Sequence, residues 1–280
     1  VQQRAFGPAG REVPVIGQGT WMMERDGRKD AVAALKRGIA LGMTHIDTAE
    51  MYGSGRVEEI VAEAITGERE RLFLVSKVLP QNASRKGTIA ACEKSLSRLR
   101  TDRLDCYLLH WPGSQPLEDT VAAFEQLAAD GKILSWGVSN FDTEELDAVA
   151  RIAAPGRLAC NQVLYHLGER AIEHGVIPWC ERRGVAVVAY SPFGSGQFPA
   201  PSSAGGKALA EIAETHGCTA RQVALAFLTR HASVFAIPKA SRIAHVEDNA
   251  AAAAIVLSEA EVSRIDRAFP RGARRGLAMI

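Results

Sequence analysis

Residues 43–77, "MTHIDTAEMYGSGRVEEIVAEAITGERERLFLVSK", decide the fold. "MTHID" is a short apolar run that ends in a carboxylate, and "RLFLVSK" (71–77) is another that ends in an ammonium. Between them "GRVEEIVAEAIT" (55–66) repeats its apolar residues at intervals of three and four, the spacing of one buried helix face. Strand, helix and strand in this order form a crossover unit of parallel strands.

The same pattern continues in both directions. Upstream, "VPVIGQGTW" (13–21) reads as a strand and "KDAVAALKRGIALG" (29–42) as an amphipathic helix with a glycine stop. Downstream, the strand series runs through "LDCYLLH" (104–110), "ILSWGVSN" (133–140), "LACNQV" (158–163), "GVAVVAY" (184–190) and "SVFAIPK" (233–239). These runs are apolar without clean alternation, as expected of parallel strands covered on both faces. Helical stretches such as "RKGTIAACEKSLSRL", "PLEDTVAAFEQLAAD" and "TEELDAVARIA" separate them, and the last gap holds two, "GKALAEIAETHG" and "TARQVALAFLTRH".

Eight strands end near positions 20, 47, 77, 110, 139, 162, 190 and 239. A repeat of about 30 residues, eight times over, predicts an α/β fold, a (β/α)8 TIM barrel. "RAFGPAGREVP" adds an N-terminal hairpin with its turn from Gly7 to Gly10, and "LSEAEVSRIDRAF" (257–269) an extra C-terminal helix. With no linker or low-complexity tract, residues 1–280 read as a single domain. A doubly wound dinucleotide fold needs a third glycine that "GQGTWM" (17–22) and "GSGRVE" (53–58) both lack.

Composition excludes several classes. Hydrophobic residues make up 47% and charged ones 23%, enough for a large core, and a net charge of +1 offers no general attraction to nucleic acid or an anionic membrane. No apolar run approaches the ~18 residues of a spanning helix, and "VQQRAFGPAGREVP" lacks the apolar core of a signal peptide. Five cysteines, at 92, 106, 160, 180 and 218, form no C-x-x-C pair and read as reduced thiols. The protein is expected to be cytoplasmic and monomeric.

In a barrel of this kind, reactive groups come from the carboxyl ends of several strands. Those ends carry Thr20 and Trp21, Asp47 with Tyr52 just behind, Lys77, His110, Ser139 and Asn140, Gln162, Tyr190 and Lys239. Singly each has a plain explanation: a rim tyrosine, a core histidine, a lysine reaching solvent, an aspartate capping a turn. Packing does not require a polar or aromatic group at every strand end. His45 and Asp47 share one strand face and raise the alternative of a metal-dependent hydrolase. His166, His174, His216 and His231 fall outside strand ends, so no metal is expected and His45 reads as core.

The motifs "HIDTAEMYG", "LDCYLLHW", "GVSNF", "NQVLYH", "AYSPFGSG" and "IPKAS", in this order and spacing, closely resemble the aldo-keto reductases across essentially the whole chain. The resemblance implies an NAD(P)H-dependent reductase that converts aldehydes and ketones to alcohols. Its catalytic four fall on Asp47, Tyr52, Lys77 and His110, with Tyr52 as proton donor. A carbonyl accepts hydride when its oxygen is polarised and then protonated. Lys77 is expected to lower the Tyr52 pKa, Asp47 to pair with Lys77, and neutral His110 to orient the substrate oxygen.

The resemblance also assigns the cofactor site. Tyr190 would stack on the nicotinamide, with Ser139, Asn140 and Gln162 on its carboxamide and Thr20, Trp21 and Asp47 beside it. Ser191, Phe193 and Ser195 would follow the pyrophosphate. Lys239, Ser241 and Arg242 would meet the 2′-phosphate, and His245, Asp248 and Asn249 the adenine end. Ala240 and His245 replace a serine and an arginine usual in the family, so NADPH is the expected cofactor with NADH also admissible. Leu164 and Leu167 depart from the usual Glu and Pro. Trp21, Met51 and Trp111 would wall an apolar pocket for a small carbonyl substrate. The tail "PRGARRGLAMI" is short, so a more open site is expected, with Arg271, Arg274 and Arg275 at the surface. Some relatives with these groups intact act as cofactor-sensing regulatory subunits, an alternative to catalysis.

Overall fold

A computed structural model describes residues 1–280. The chain opens with an antiparallel hairpin of β1 (Gln3–Phe6) and β2 (Arg11–Pro14), turning over Gly7 to Gly10. Eight further strands follow: β3 (Gln18–Gly19), β4 (His45–Asp47), β5 (Phe73–Val78), β6 (Leu104–Leu109), β7 (Ile133–Ser139), β8 (Leu158–Leu164), β9 (Ala186–Tyr190) and β10 (Val234–Ala236). Each pairs in parallel with its neighbour in sequence.

The sheet closes between its first and last strands. Gly17 donates to the Ala236 carbonyl at 2.8 Å, Ala236 donates to Val15 at 2.9 Å, and Gly19 bridges to Lys239. A Cβ on Gly19 would run into the Ile237 carbonyl oxygen, so only glycine lets the seam close here. Closure makes the loops that follow β3 and β10 neighbours in space.

Ten helices surround the barrel: α1 (Arg28–Ala40), α2 (Arg56–Ala64), α3 (Arg85–Leu99), α4 (Leu117–Ala129), α5 (Thr143–Ile152), α6 (Val176–Arg183), α7 (Ala204–His216), α8 (Ala220–Leu228), α9 (Ile243–Ala251) and α10 (Glu259–Ala268). Their starts follow local chemistry. Ser84 accepts from the Gly87 amide, and Asp142 with Glu145, Thr219 with Gln222 and Ser258 with Glu261 form capping boxes. One continuous cluster of buried apolar side chains runs from Phe6 in the hairpin to Ile265 in α10. No helix is long and apolar enough to cross a membrane.

Two details differ from the sequence reading. The first strand, expected over 13–21, is divided: Arg11–Pro14 joins the hairpin and only Gln18–Gly19 lies in the barrel ladder. Pro14 has no N–H to carry the ladder onward. Helix α9 was not anticipated; only Val246 and Asn249 on it are buried, too few to mark a periodic face.

Candidate active site

Lys77 reaches the barrel axis two residues past the pairing of Val75 with Asp47. Its ammonium donates to Asp47 Oδ1 at 2.6 Å, to the Thr48 carbonyl at 2.8 Å and to Tyr52 OH at 3.2 Å. All three ammonium donors are therefore used on a fully buried side chain. Asp47 is held on its other oxygen by Gln162 Nε2 at 2.7 Å, from the far side of the barrel, while its carbonyl accepts from Thr20 Oγ1 at 2.8 Å. Because the Tyr52 oxygen accepts from Lys77, its own proton is free to be given elsewhere.

The loop after β4 brings Tyr52 to this point. Glu50 accepts from the Leu79 amide at 2.7 Å and from Asn82 Nδ2 at 3.0 Å, tying that loop to the turn after β5. Beyond Tyr52 the chain turns sharply into α2 through Gly53, Ser54 and Gly55, with φ of 56, 55 and 89°. A Cβ on Gly53 would also lie 2.8 Å from Glu24 Cγ. Tyr52 is thus a side chain held inward by a turn that needs the left-handed region.

His110 stands edge-on to Tyr52, ring centroids 5.8 Å apart at 72°, and packs on Trp111 at 4.8 Å. It is 7% exposed, and its Nδ1 has no partner. Burial, with a further push from Lys77, lowers its pKa to about 2, so the ring is neutral. Burial opposes the Lys77 charge, but Asp47 and Tyr52 outweigh it and lift Lys77 above the ordinary lysine value. Asp47 is raised by burial, against the pull of Lys77 and Gln162.

Tyr52 runs against expectation. Its pKa is raised, because burial, reinforced by Asp47, outweighs the lowering by Lys77. At neutral pH the phenol keeps its proton.

Opposite these groups lies a polar wall. Ser139 Oγ donates to the Gln162 carbonyl at 2.8 Å. Asn140, at φ 62°, donates to the His110 carbonyl at 3.1 Å and accepts from Tyr190 OH at 2.9 Å. The cavity between the two walls is about 510 Å³; Asp47, Tyr52 and His110 line it, and Lys77 lies just behind Tyr52. Trp21, Met51 and Trp111 line it as well, as do Thr20, Ser191, Phe193, Ser195 and Lys239. Ser191 and Ser195 both sit at positive φ, 49 and 48°, with their hydroxyls 3.1 Å apart.

The remaining residues expected at the nucleotide lie farther out. Ser241 and Lys239 both donate to the Asp26 carboxylate. Arg242 precedes α9, and His245, Asp248 and Asn249 lie on it. Asp248 accepts from Thr219 Oγ1 at 3.0 Å, and none of these four borders the cavity. His45, by contrast, packs in the core against Phe6 and Phe73 at 5.9 and 5.3 Å, with both ring nitrogens unpartnered. No group of three or more His, Cys, Asp or Glu side chains gathers at metal-holding spacing.

Met22, Pro192, Ile237 and Ile280, which carry no strand-end signal in the sequence, also line the cavity, and Asp26 sits on its lysine. The tail is tied down rather than loose. Arg170 donates to the Phe269 carbonyl at 2.5 Å, His174 Nε2 lies 3.1 Å from the Gly272 carbonyl, and Arg275 pairs with Glu169. Ile280, at the end of this tail, lines the cavity. Only strand ends and turns carry a local signal; a tail residue does not.

Comparison with known proteins agrees with this geometry. The methylglyoxal reductase YeaE of Escherichia coli (strain K12) is 50% identical over 260 residues, 92% of each chain. Glyoxal reductase of Bacillus subtilis (strain 168) is 34% identical over 257 residues, 92% of this chain and 89% of the relative. The crystal structure of an aldo/keto reductase from Klebsiella pneumoniae in complex with NADP and acetate, 46% identical, superposes with a TM-score of 0.94 over 100% of both chains. The model of the aldo/keto reductase family matches residues 15–269, from just before the first barrel strand to the end of α10. A match of that extent, on a barrel with these strand ends, places the chain in the aldo/keto reductase family.

Proposed function

We propose that this chain, an NADP(H)-dependent oxidoreductase of small carbonyl compounds, reduces short uncharged aldehydes and α-dicarbonyls to alcohols, with Tyr52 as the proton donor. The observation that carries the reading is the fully buried Lys77 ammonium, which joins Asp47 to the Tyr52 hydroxyl at the edge of a cavity of about 510 Å³.

The residues present fit a nicotinamide dinucleotide. Tyr190 offers an aromatic face beside the amide and hydroxyl groups of Asn140, Ser139 and Gln162. At the outer end, Lys239 and Ser241 already hold a carboxylate, so the donors there are arranged for an anion. When bound, a reduced nicotinamide supplies the hydride that goes to the carbonyl carbon.

The chain's own groups do the rest. Tyr52 OH gives its proton to the carbonyl oxygen as negative charge develops there. Lys77, already donating to that phenol oxygen, stabilises the phenolate left behind and remains charged because Asp47 holds it. Neutral His110 orients the carbonyl oxygen from its ring, adding no competing charge. Trp21, Met51 and Trp111 exclude water and favour an apolar body.

Substrate charge follows from the lining. The ionisable side chains on the cavity other than Tyr52, His110 and Tyr190 are Asp47 and Lys239, each already in an ion pair, so no free cation waits for a substrate carboxylate. The relatives named for methylglyoxal and glyoxal support small dicarbonyls. We further propose that residues 1–280 act as one domain and as a monomer. The test is a panel of methylglyoxal, glyoxal, short aldehydes and keto acids with NADPH and with NADH, followed at the nicotinamide absorbance. Neutral carbonyls should turn over with NADPH, and keto acids poorly. No turnover of any carbonyl would reject the reading, and faster turnover of keto acids would reject the substrate class.

A further inference from the structure

The cavity's outer cation is not free. Lys239 Nζ and Ser241 Oγ both donate to the same oxygen, Oδ2, of Asp26. Asp26 comes from the loop between β3 and α1, whereas Lys239 and Ser241 follow β10; the barrel seam at Gly19 and Lys239 makes these loops neighbours. Burial pushes the Asp26 pKa up, but the two hydrogen bonds and the Lys239 charge outweigh it and hold the group below the ordinary carboxylate range, so it is an anion at neutral pH. The pair is about one-third exposed, 32% for Lys239 and 31% for Asp26, and so remains open to a ligand arriving from solvent.

We propose that Asp26 is a cofactor-selecting residue: a built-in anion that occupies Lys239 and Ser241 and competes with the nucleotide's 2′-phosphate for them. This rests on the reading of Lys239 as facing that phosphate. A 2′-phosphate must displace Asp26 from both donors and come to rest near its charge. A dinucleotide with a free ribose 2′-hydroxyl has no such conflict and meets a carboxylate able to accept from that hydroxyl. Asp26 thus narrows the preference for NADP(H) over NAD(H). Ala240 works in the same direction, since it supplies no hydroxyl to the phosphate. Arg25 and Arg28 flank Asp26 in sequence, with Arg25 3.8 Å from Glu24 and Arg28 2.9 Å from Glu63.

Asp26→Asn removes the charge and keeps the shape; Asp26→Ala also removes the acceptor. Titration calorimetry of each with NADP+, NAD+, and the fragments 2′,5′-ADP and 5′-AMP reads the phosphate end without any catalytic step. Both variants should bind NADP+ and 2′,5′-ADP roughly fivefold more tightly than wild type, the order expected for releasing a part-exposed ion pair. NAD+ and 5′-AMP should not tighten. The gain should vanish when Lys239→Ala is added. Weaker NADP+ binding in both variants would mean that Asp26 positions Lys239 for the phosphate, and an unchanged ratio of NADP+ to NAD+ would mean that it plays no part; either overturns the proposal. Because 2′,5′-ADP needs no carbonyl chemistry, its result stands or falls separately from the reductase reading.

Discussion

Two opposing influences act on the Tyr52 hydroxyl: burial raises its pKa and the Lys77 charge lowers it, and burial prevails. In the proposed mechanism Lys77, 3.2 Å from the phenol oxygen, matters most after the proton has left. Tyr52→Phe should lower carbonyl reduction by on the order of 10²–10⁴. Tryptophan-quenching titrations should show nearly unchanged NADPH affinity, and retention of more than about a tenth of turnover, with chemistry limiting, would show that another group is the acid. Lys77→Met should depress turnover and shift the pH profile of what remains. It also strands the Asp47 carboxylate in the core, so denaturant unfolding should show a loss of about 3–5 kcal/mol. A stable variant with an unchanged profile would mean that the ammonium does not act on the phenol.

At the level of elements, the loops rather than the strands carry the precision. The turn 52–55 tolerates Gly53 at φ 56° at no steric cost, whereas an alanine meets both that conformation and the Glu24 side chain. Gly53→Ala should lower stability by about 1–2 kcal/mol in urea unfolding. Turnover should fall with it, because the turn aims Tyr52; full activity would show that the turn relaxes without moving the phenol. The loop after β10 makes a second such case. Lys239→Ala should weaken NADPH binding roughly tenfold or more while leaving NADH nearly unchanged, since a charged hydrogen bond is worth about 1.5–3 kcal/mol. Equal losses for both cofactors would place Lys239 on the pyrophosphate or on the loop itself.

Across the whole molecule, buried titratable groups set the response to acid. His45 and His110, lowered by burial and by Lys77 to about 3 and about 2, stay neutral in the fold. Unfolded, each takes a proton near pH 6.5, so the unfolded state binds more protons and stability falls as pH drops below that value. Glu173 adds a second step. Although burial alone would raise it, bonds from Arg170 and Tyr165 and the charge of Arg230 bring it to about 2. Its contribution is complete above the unfolded value of about 4.5 and is lost as pH falls toward 2. Glu173 also ties its own segment, through Tyr165 at 2.6 Å and Arg170, to distant Arg230 at 3.1 Å, and Arg170 in turn holds the Phe269 carbonyl at the end of α10. Glu173→Gln should flatten the fall in stability between pH 4.5 and 2 and lower stability at pH 7 by on the order of 2 kcal/mol. Unchanged unfolding curves at both pH values would show that the network adds nothing to the fold.

What the sequence by itself determined was the order of the elements and the position of polar residues at their ends. Helix α3 coincides with the stretch "RKGTIAACEKSLSRL", and Asp47, Lys77 and His110 were found by counting along strands. Both readings depend on local periodicity and chain punctuation, which neighbours in sequence carry. Three features were decided only in three dimensions. The Tyr52 pKa rose because burial is a property of the closed barrel, not of the residues beside the phenol. Asp26 met Lys239 across 213 positions because the sheet closes on itself. Ile280 lines the cavity at the end of a tail held by His174 at Gly272 and by Glu169 at Arg275. Each arises from contacts between groups far apart in the chain, whose distance and solvent exposure exist only once the barrel is closed.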